Sequence, residues 1–241
     1  MADSTAKLPF ILSMKWSVQW TIAVALRHQV AVATYMAGGV LLSLLFMGEP
    51  MLVGLGWIVL GVASIALALV THNEVLCGPS GFNAAILGQS GGRIFSYFLD
   101  CMVLGVLIFL IILIPTFLVI LIASVESAEG SAMVWGGIIL ITSIIGLVIT
   151  SRLALRLPSR AIGMPMAWGD VWRLGAGHTL VLVLAPVLLS IPLAVVSGLA
   201  EGLVSQAFGD AVHMVLMPLQ VVLTCSFLSV AYGRLRALAT V

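Results

Sequence analysis

The chain has 241 residues, of which 62% are apolar and 8% are charged, and its formal net charge is +1. Globular proteins usually have about 45–50% apolar and about 25% charged residues. This composition excludes a soluble fold with a polar shell and indicates that lipid is the solvent. No polar stretch is long enough to fold separately, so we predict one integral membrane domain over residues 1–241, all-α in class.

Residues 9–28 predict an amphipathic helix that lies in the membrane interface. Apolar residues recur every four positions and form one helical face, through Phe10, Met14, Val18 and Ile22. Trp16 and Trp20 suit the headgroup region, where an indole N–H stays hydrated and the ring stays dry. The alternative is a polar N-terminal extension of the first transmembrane span.

Long apolar runs predict six transmembrane helices in three hairpins, at residues 30–47, 51–71, 102–125, 132–150, 179–200 and 211–233. Each run approaches the ~20 residues that cross ~30 Å of hydrocarbon. The tight Gly48-Glu49-Pro50 link forces the first two spans into an antiparallel pair. Pro115 should kink the third span, because proline removes one backbone hydrogen bond.

Residues 151–179, here called the elbow, join the fourth and fifth spans. The elbow carries basic and tryptophan side chains that suit the membrane interface: Arg152, Arg156, Arg160, Arg173, Trp168 and Trp172. Arginines at this position can bind phospholipid headgroups. They can equally act only as determinants of topology. Gly175 and Gly177 are expected to end a short helix before the fifth span.

The distribution of charge predicts the orientation. With six spans, one side receives every basic side chain: Lys7, Lys15, Arg27, Arg93, Arg152, Arg156, Arg160, Arg173, Arg234 and Arg236. The other side receives only acidic ones: Glu49, Glu126, Glu129, Glu201 and Asp210. The positive-inside rule then places both termini in the cytoplasm of a bacterial cell, with the chain in its inner membrane.

Few residues have the chemistry of a catalytic or metal site. His72, Glu74 and Cys77 follow the second span, but helical spacing separates His72 from Cys77, and no second His or Cys cluster completes a metal site. We expect these residues, and His178 at the start of the fifth span, to make interfacial hydrogen bonds. No cofactor or metal is predicted, and the three cysteines are expected to be reduced packing residues.

Gln220 and Thr224 are the most polar pair within the spans, and Thr116 follows the proline of the third span. One interpretation is a small polar site at kinked helices, as in transporters with broken helices. The other is interhelical hydrogen bonding that holds the bundle together, which is our expectation.

The elbow sequences SRLALRLPSRAI and DVWRLGAGHTLVLV resemble those of uncharacterised bacterial polytopic inner-membrane proteins. These proteins are distantly similar to the membrane domain that precedes the catalytic domain in some glycerophosphodiester phosphodiesterases. THNEVLCG resembles the turn that they carry after the second span, with Asn73 where an arginine is usual. The resemblance implies a six-helix membrane domain and no established activity.

The function expected is that of a non-enzymatic membrane protein, which acts through contact with membrane lipids or with another membrane protein complex. A second hypothesis is a transporter or channel for a small or lipidic solute, with a path near the prolines within the spans. A third is a lipid-modifying enzyme that uses His72, Glu74 or His178. Nothing in the sequence indicates a nucleic-acid partner.

Overall fold

The computed structural model describes residues 8–45, 50–79, 91–123 and 131–239. Every regular element in these ranges is a helix, which confirms the all-α class. The helices are α1 (Phe10–Arg27), α2 (Gln29–Leu45), α3 (Pro50–Cys77), α4 (Gly91–Ala123), α5 (Ser131–Leu153), α6 (Arg156–Ala161), α7 (Trp168–Leu174), α8 (Thr179–Leu203) and α9 (Gln206–Ala239).

Five of the helical stretches in these ranges are long and apolar enough to cross a membrane: Ile58–Cys77, Gly91–Phe117, Gly136–Ala161, Thr179–Leu203 and Phe208–Ala239. They coincide with the second to sixth predicted spans, so the chain is a multi-pass membrane protein by length and composition. The first predicted span coincides with α2. Its apolar stretch, Gln29–Leu42, is shorter than the other five.

The helices extend beyond the predicted spans at the polar end. α3 continues to Cys77, and α4 already begins at Gly91. Hydropathy marks where the hydrocarbon ends, whereas a helix continues as long as its backbone hydrogen bonds are favourable. The predicted connection at residues 71–97 is therefore helical at both ends, while its middle, residues 80–90, lies outside the described residues. Prolines lie within α4, α8 and α9, which continue through them.

α9 is the central helix of the packing, because it contacts the first three helices, α1, α2 and α3, and also α8. Small side chains allow these close approaches. Ser226, Ser229 and Ala231 of α9 are fully buried. A Cβ atom added at Gly39 of α2 would lie 3.4 Å from the Cβ atom of Met214. The densest packing is therefore along α9.

α4 and α5 pack against each other, and the side chain of Ile111 lies against the α-carbon of Gly146. α4 also contacts α6, and α5 contacts α7 and α8. Most of the apolar side chains of the pair are exposed, among them Val103, Val106, Phe109, Ile112, Ile139, Leu140 and Ile144. This surface is expected of helices that are surrounded by lipid or by a membrane partner.

α1 packs against α9 through a face of small residues. Ser13, Ser17 and Val24 are fully buried, and Val24 packs with Val222 of α9. The apolar face predicted for this helix is divided: Phe10 and Met14 pack against the core, whereas Val18 and Ile22 are exposed. α1 ends at Arg27 with His28 as its C-cap, and α2, which begins at Gln29, packs against α3 and α9.

Candidate functional site: buried charge at the basic end

The basic end of the fold is defined by Arg27, Arg93, Arg152, Arg156, Arg160, Arg234 and Arg236. Here the last turns of α3 and α9 meet the first turns of α4, the α1–α2 junction and the elbow. Among the described residues, two carboxylates are buried at this end, on Glu74 and Asp100. Because burying a carboxylate is costly without a partner, their surroundings decide what this end can do.

Glu74 lies in the last turns of α3 and is completely inaccessible. One carboxylate oxygen accepts a hydrogen bond from Arg27 Nη1. The other oxygen lies 2.6 Å from His28 Nε2. The Arg27 side chain remains 41% exposed, so its guanidinium neutralises the carboxylate while it still touches the surroundings. The cluster ties the α1–α2 break to α3.

Asp100, in α4, is buried beneath two arginines of the elbow. Its Oδ2 atom accepts hydrogen bonds from Arg156 Nε at 2.9 Å and from Arg160 Nε at 2.7 Å. Arg156 also donates to the carbonyl oxygen of Met166, and its guanidinium lies 4.3 Å from the ring centroid of Trp168. One carboxylate thus joins α4 to α6 and to the segment before α7.

The elbow side chains predicted to contact lipid headgroups occupy different environments. Arg156 is only 8% exposed and is an internal cation, in place of the surface role predicted for it. Arg160 is half-buried and also binds Asp100. Arg152 donates to Thr179 Oγ1 and stacks 4.6 Å from the ring centroid of Trp172. Arg173 and Trp172 are exposed. Contact with lipid headgroups therefore stays a prediction, and the exposed side chains, Arg173 and Trp172, are the ones best placed for it.

His72 is buried between α3 and α9. Its Nδ1 atom lies 2.7 Å from Ser229 Oγ, and its ring centroid lies 5.9 Å from that of Tyr97. Its Nε2 atom has no hydrogen-bond partner in the described part of the chain. Cys77 is exposed, and Glu74 binds Arg27 and His28. The three side chains, which the sequence analysis set aside as a metal site, therefore lie in three different environments, and the described residues hold no cluster suited to a metal ion.

The candidate intramembrane site is also dispersed. Cys101 of α4 and Cys225 of α9 belong to one packed cluster and mark a common depth. Thr116 is fifteen residues beyond Cys101, about 22 Å along the helix axis. Gln220 is five residues before Cys225, about 8 Å along its own axis. Thr116 donates to its own helix, at Ile112 O. It therefore lies at a different depth from Gln220 and Thr224.

Sequence reasoning missed the role of Asp100. The signal was present, because Arg156 and Arg160 are four residues apart and side chains at that spacing share one helical face. A single carboxylate at the start of the third span can then meet both guanidinium groups. The partner could not be chosen from sequence, since Asp100 is 56 residues away from Arg156.

Two cavities lie on either side of α1. One, of about 440 Å³, is lined on its polar side by Trp16, Trp20 and Arg234. The guanidinium of Arg234 lies 4.1 Å from the ring centroid of Trp16. The other cavity lies between α1, α8 and α9 and is lined almost wholly by apolar side chains. α1 therefore separates a polar region at the basic end from an apolar one.

Comparisons with protein-family models, with curated proteins and with solved structures find no match to this chain. The resemblance to the membrane domain of glycerophosphodiester phosphodiesterases therefore stays a prediction. Function has to be inferred from the side chains of the chain and from their contacts.

Proposed function

We propose that the chain is a six-span protein of the bacterial cytoplasmic membrane, which acts without catalysis through contact with lipids or with another membrane protein complex. One observation carries the proposal: each buried carboxylate, on Glu74 and on Asp100, is neutralised by arginines of the same chain. Carboxylates that move protons or ions across membranes need a changing partner. Here the ionisable groups hold helices together, and the outer surface is left for interaction.

The proposal counts α2 as the sixth span. α2 runs antiparallel to α3, because His28 pairs with Glu74 while Tyr35 OH donates to Leu60 O at 3.2 Å. Farther along α2, Gly39 lies against Met214 of α9. α2 therefore lies alongside helices that are long enough to cross a bilayer, and this contact supports counting it as a span.

The positive-inside rule supports cytoplasmic termini. The arginines of the α1–α2 junction, of the elbow and of the last turn of α9 all lie at the basic end, as the contacts of Glu74, Asp100 and Trp16 indicate. In this arrangement α1 lies in the interface. Trp16 and Trp20 face the cytoplasm, and Val18 and Ile22 face the hydrocarbon.

A transporter stays an alternative without an observation in its favour, since Thr116 and Gln220 lie at different depths. A lipid-modifying enzyme that uses His72 as its base is not favoured by the contacts of that residue. Its candidate base, His72, is enclosed and bound to Ser229, and a general base has to reach the proton that it removes.

The test combines crosslinking with reconstitution. A photoreactive amino acid at Phe109, which is 59% exposed on α4, should give discrete adducts with a membrane protein or a lipid in native membranes. The same amino acid at the buried position Leu182 serves as the control and should give neither. The purified chain in liposomes should show neither solute flux nor lipid turnover.

Two results would contradict the proposal. One is a saturable flux that Gln220→Leu abolishes while the protein stays folded. The other is turnover of a lipid that His72→Ala removes.

A further inference from the structure

The apolar cavity beneath α1 has the size of a ligand site. Its volume is about 590 Å³, within the ~300–1,000 Å³ of small-molecule sites. Three helices contribute its walls, through Val18, Ile22, Leu188, Pro192, Leu219 and Leu223. Thr21 also lines it, but its hydroxyl donates to Ser17 O at 2.7 Å and is satisfied within α1.

A further cavity adjoins the apolar one, nearer the N-terminus of α1. Its volume is about 460 Å³, and it shares Met14, Val18 and Leu189 with the apolar cavity. It adds Lys15 and Gln19, which are exposed on the outer side of α1. The two together form an open apolar groove, which Lys15 and Gln19 line almost wholly with the aliphatic parts of their exposed side chains. The ammonium group of such a lysine extends to the headgroup level while its stem lies on the apolar surface.

We propose that this paired cavity binds one anionic phospholipid, with an acyl chain in the apolar chamber and the phosphate beside Lys15. The inference rests on the proposed function, because it requires α1 to lie in the membrane interface. Water needs two to four polar partners to occupy a cavity, and this lining offers almost none. A hydrocarbon chain is the apolar occupant that a bilayer supplies.

Charge selects the class of lipid. Lys15 is an ammonium on a flexible stem, suited to bind a phosphate as a point charge. A zwitterionic headgroup brings its own cation close to the phosphate, whereas an anionic headgroup does not. A single lysine near a membrane surface favours anionic lipid by about fivefold. The site therefore prefers phosphatidylglycerol to phosphatidylcholine.

Native mass spectrometry of the full chain tests the proposal. The protein is incorporated into nanodiscs with equal amounts of phosphatidylglycerol and phosphatidylcholine and is then released into mild detergent. Leu188→Trp fills the chamber. Leu184→Trp is the matched control, because Leu184 lies one turn away on α8 with nearly equal exposure, 40% against 41%, and does not line the cavity.

The wild type and Leu184→Trp should each retain one phospholipid, and Leu188→Trp should lose most of it. If Leu188→Trp is not monodisperse, Ile22→Trp fills the same chamber from α1. Lys15→Gln should lower the phosphatidylglycerol preference about fivefold, and Lys15→Arg should keep it.

Equal retention by the two α8 variants would overturn the site, since the lipid would then be ordinary bilayer contact. An unchanged preference in Lys15→Gln would overturn the role of Lys15. The crosslink from Phe109 and the flux assay report on other surfaces, so failure of the lipid site and failure of the proposed function can be told apart.

Discussion

Removal of the Asp100 carboxylate should be among the most damaging single changes in this fold. In Asp100→Ala, the Arg156 guanidinium stays buried and keeps only the carbonyl oxygen of Met166 and the ring of Trp168 as neighbours. Breaking a buried ion pair by removing one partner costs about 3–5 kcal/mol. For a chain of this size that corresponds to a fall of about 6–20 °C in the melting temperature.

The measurement is thermal unfolding in one fixed detergent, followed by near-UV circular dichroism. Asp170→Ala is the control, because Asp170 is exposed on α7 and surface changes stay within about 0.5 kcal/mol. Arg156→Gln should cost more than Arg160→Gln, since the side chain of Arg156 is the more deeply buried of the two.

A triple variant tests the physical cause. Replacement of Asp100 by Leu together with Arg156→Met and Arg160→Met removes all three charges, and such replacements are often neutral or stabilising. We therefore expect it to recover most of the stability that Asp100→Ala loses. Equal melting temperatures for Asp100→Ala and Asp170→Ala would refute the reasoning. A triple variant less stable than Asp100→Ala would show that unpaired buried charge is not the cause of the lost stability.

Two further predictions concern other contacts. Glu74→Gln should lower the free energy of unfolding by about 2 kcal/mol, less than Asp100→Ala, because Arg27 can turn toward the surroundings; an equal loss in the two variants would argue against this account. Gly146→Ala should cost about 1–3 kcal/mol, because its new methyl group meets Ile111, whereas Gly136→Ala on the same helix meets no atom within 4 Å and should not destabilise. Thermal unfolding measures both, and similar losses at Gly146 and Gly136 would contradict the close packing of α4 on α5.

Hydropathy was sufficient to predict the helical class and the approximate places of five spans. It reports on the transfer of side chains to lipid, which dominates the energetics of those segments. It could not give the helix ends, since Thr71–Cys77 and Gly91–Tyr97 stay helical through polar residues. The predicted first span is supported less strongly because the apolar part of α2 is short.

The elbow illustrates what local sequence can and cannot give. The helix end near Gly175 and Gly177 was predicted and is confirmed, because α7 ends at Leu174 and Gly177 has a φ of 80°. Such a φ suits a residue without a Cβ atom. The start of this helix, at Trp168, carries no comparable signal in the sequence. Local sequence also does not predict that Arg156, which lies before α7, binds the carboxylate of Asp100, 56 residues away.

Polar pairings over long sequence separations account for most of the remaining differences. Glu74 finds Arg27 and His28, and His72 finds Ser229, 157 residues away. Many arginines and histidines are available to each of these groups, so the sequence alone does not rank them. Helix packing makes the choice: α9 against α3 brings Ser229 to His72, and the α1–α2 junction against α3 brings Arg27 and His28 to Glu74.

Thiol labelling of introduced cysteines tests the central claim, six spans with the basic end in the cytoplasm, with the Cys77→Ser protein, which keeps Cys101 and Cys225, as the unlabelled reference. In a background with Cys77→Ser, cysteine replaces Gly169 of the elbow, Gly202 at the far end of α8, or Gly48, which lies outside the described residues. Gly169 and Gly202 have open space for the new side chain. A membrane-impermeant maleimide should label positions 48 and 202 in intact spheroplasts, and position 169 only after lysis. Labelling of position 169 in intact spheroplasts, or protection of position 48, would contradict the account.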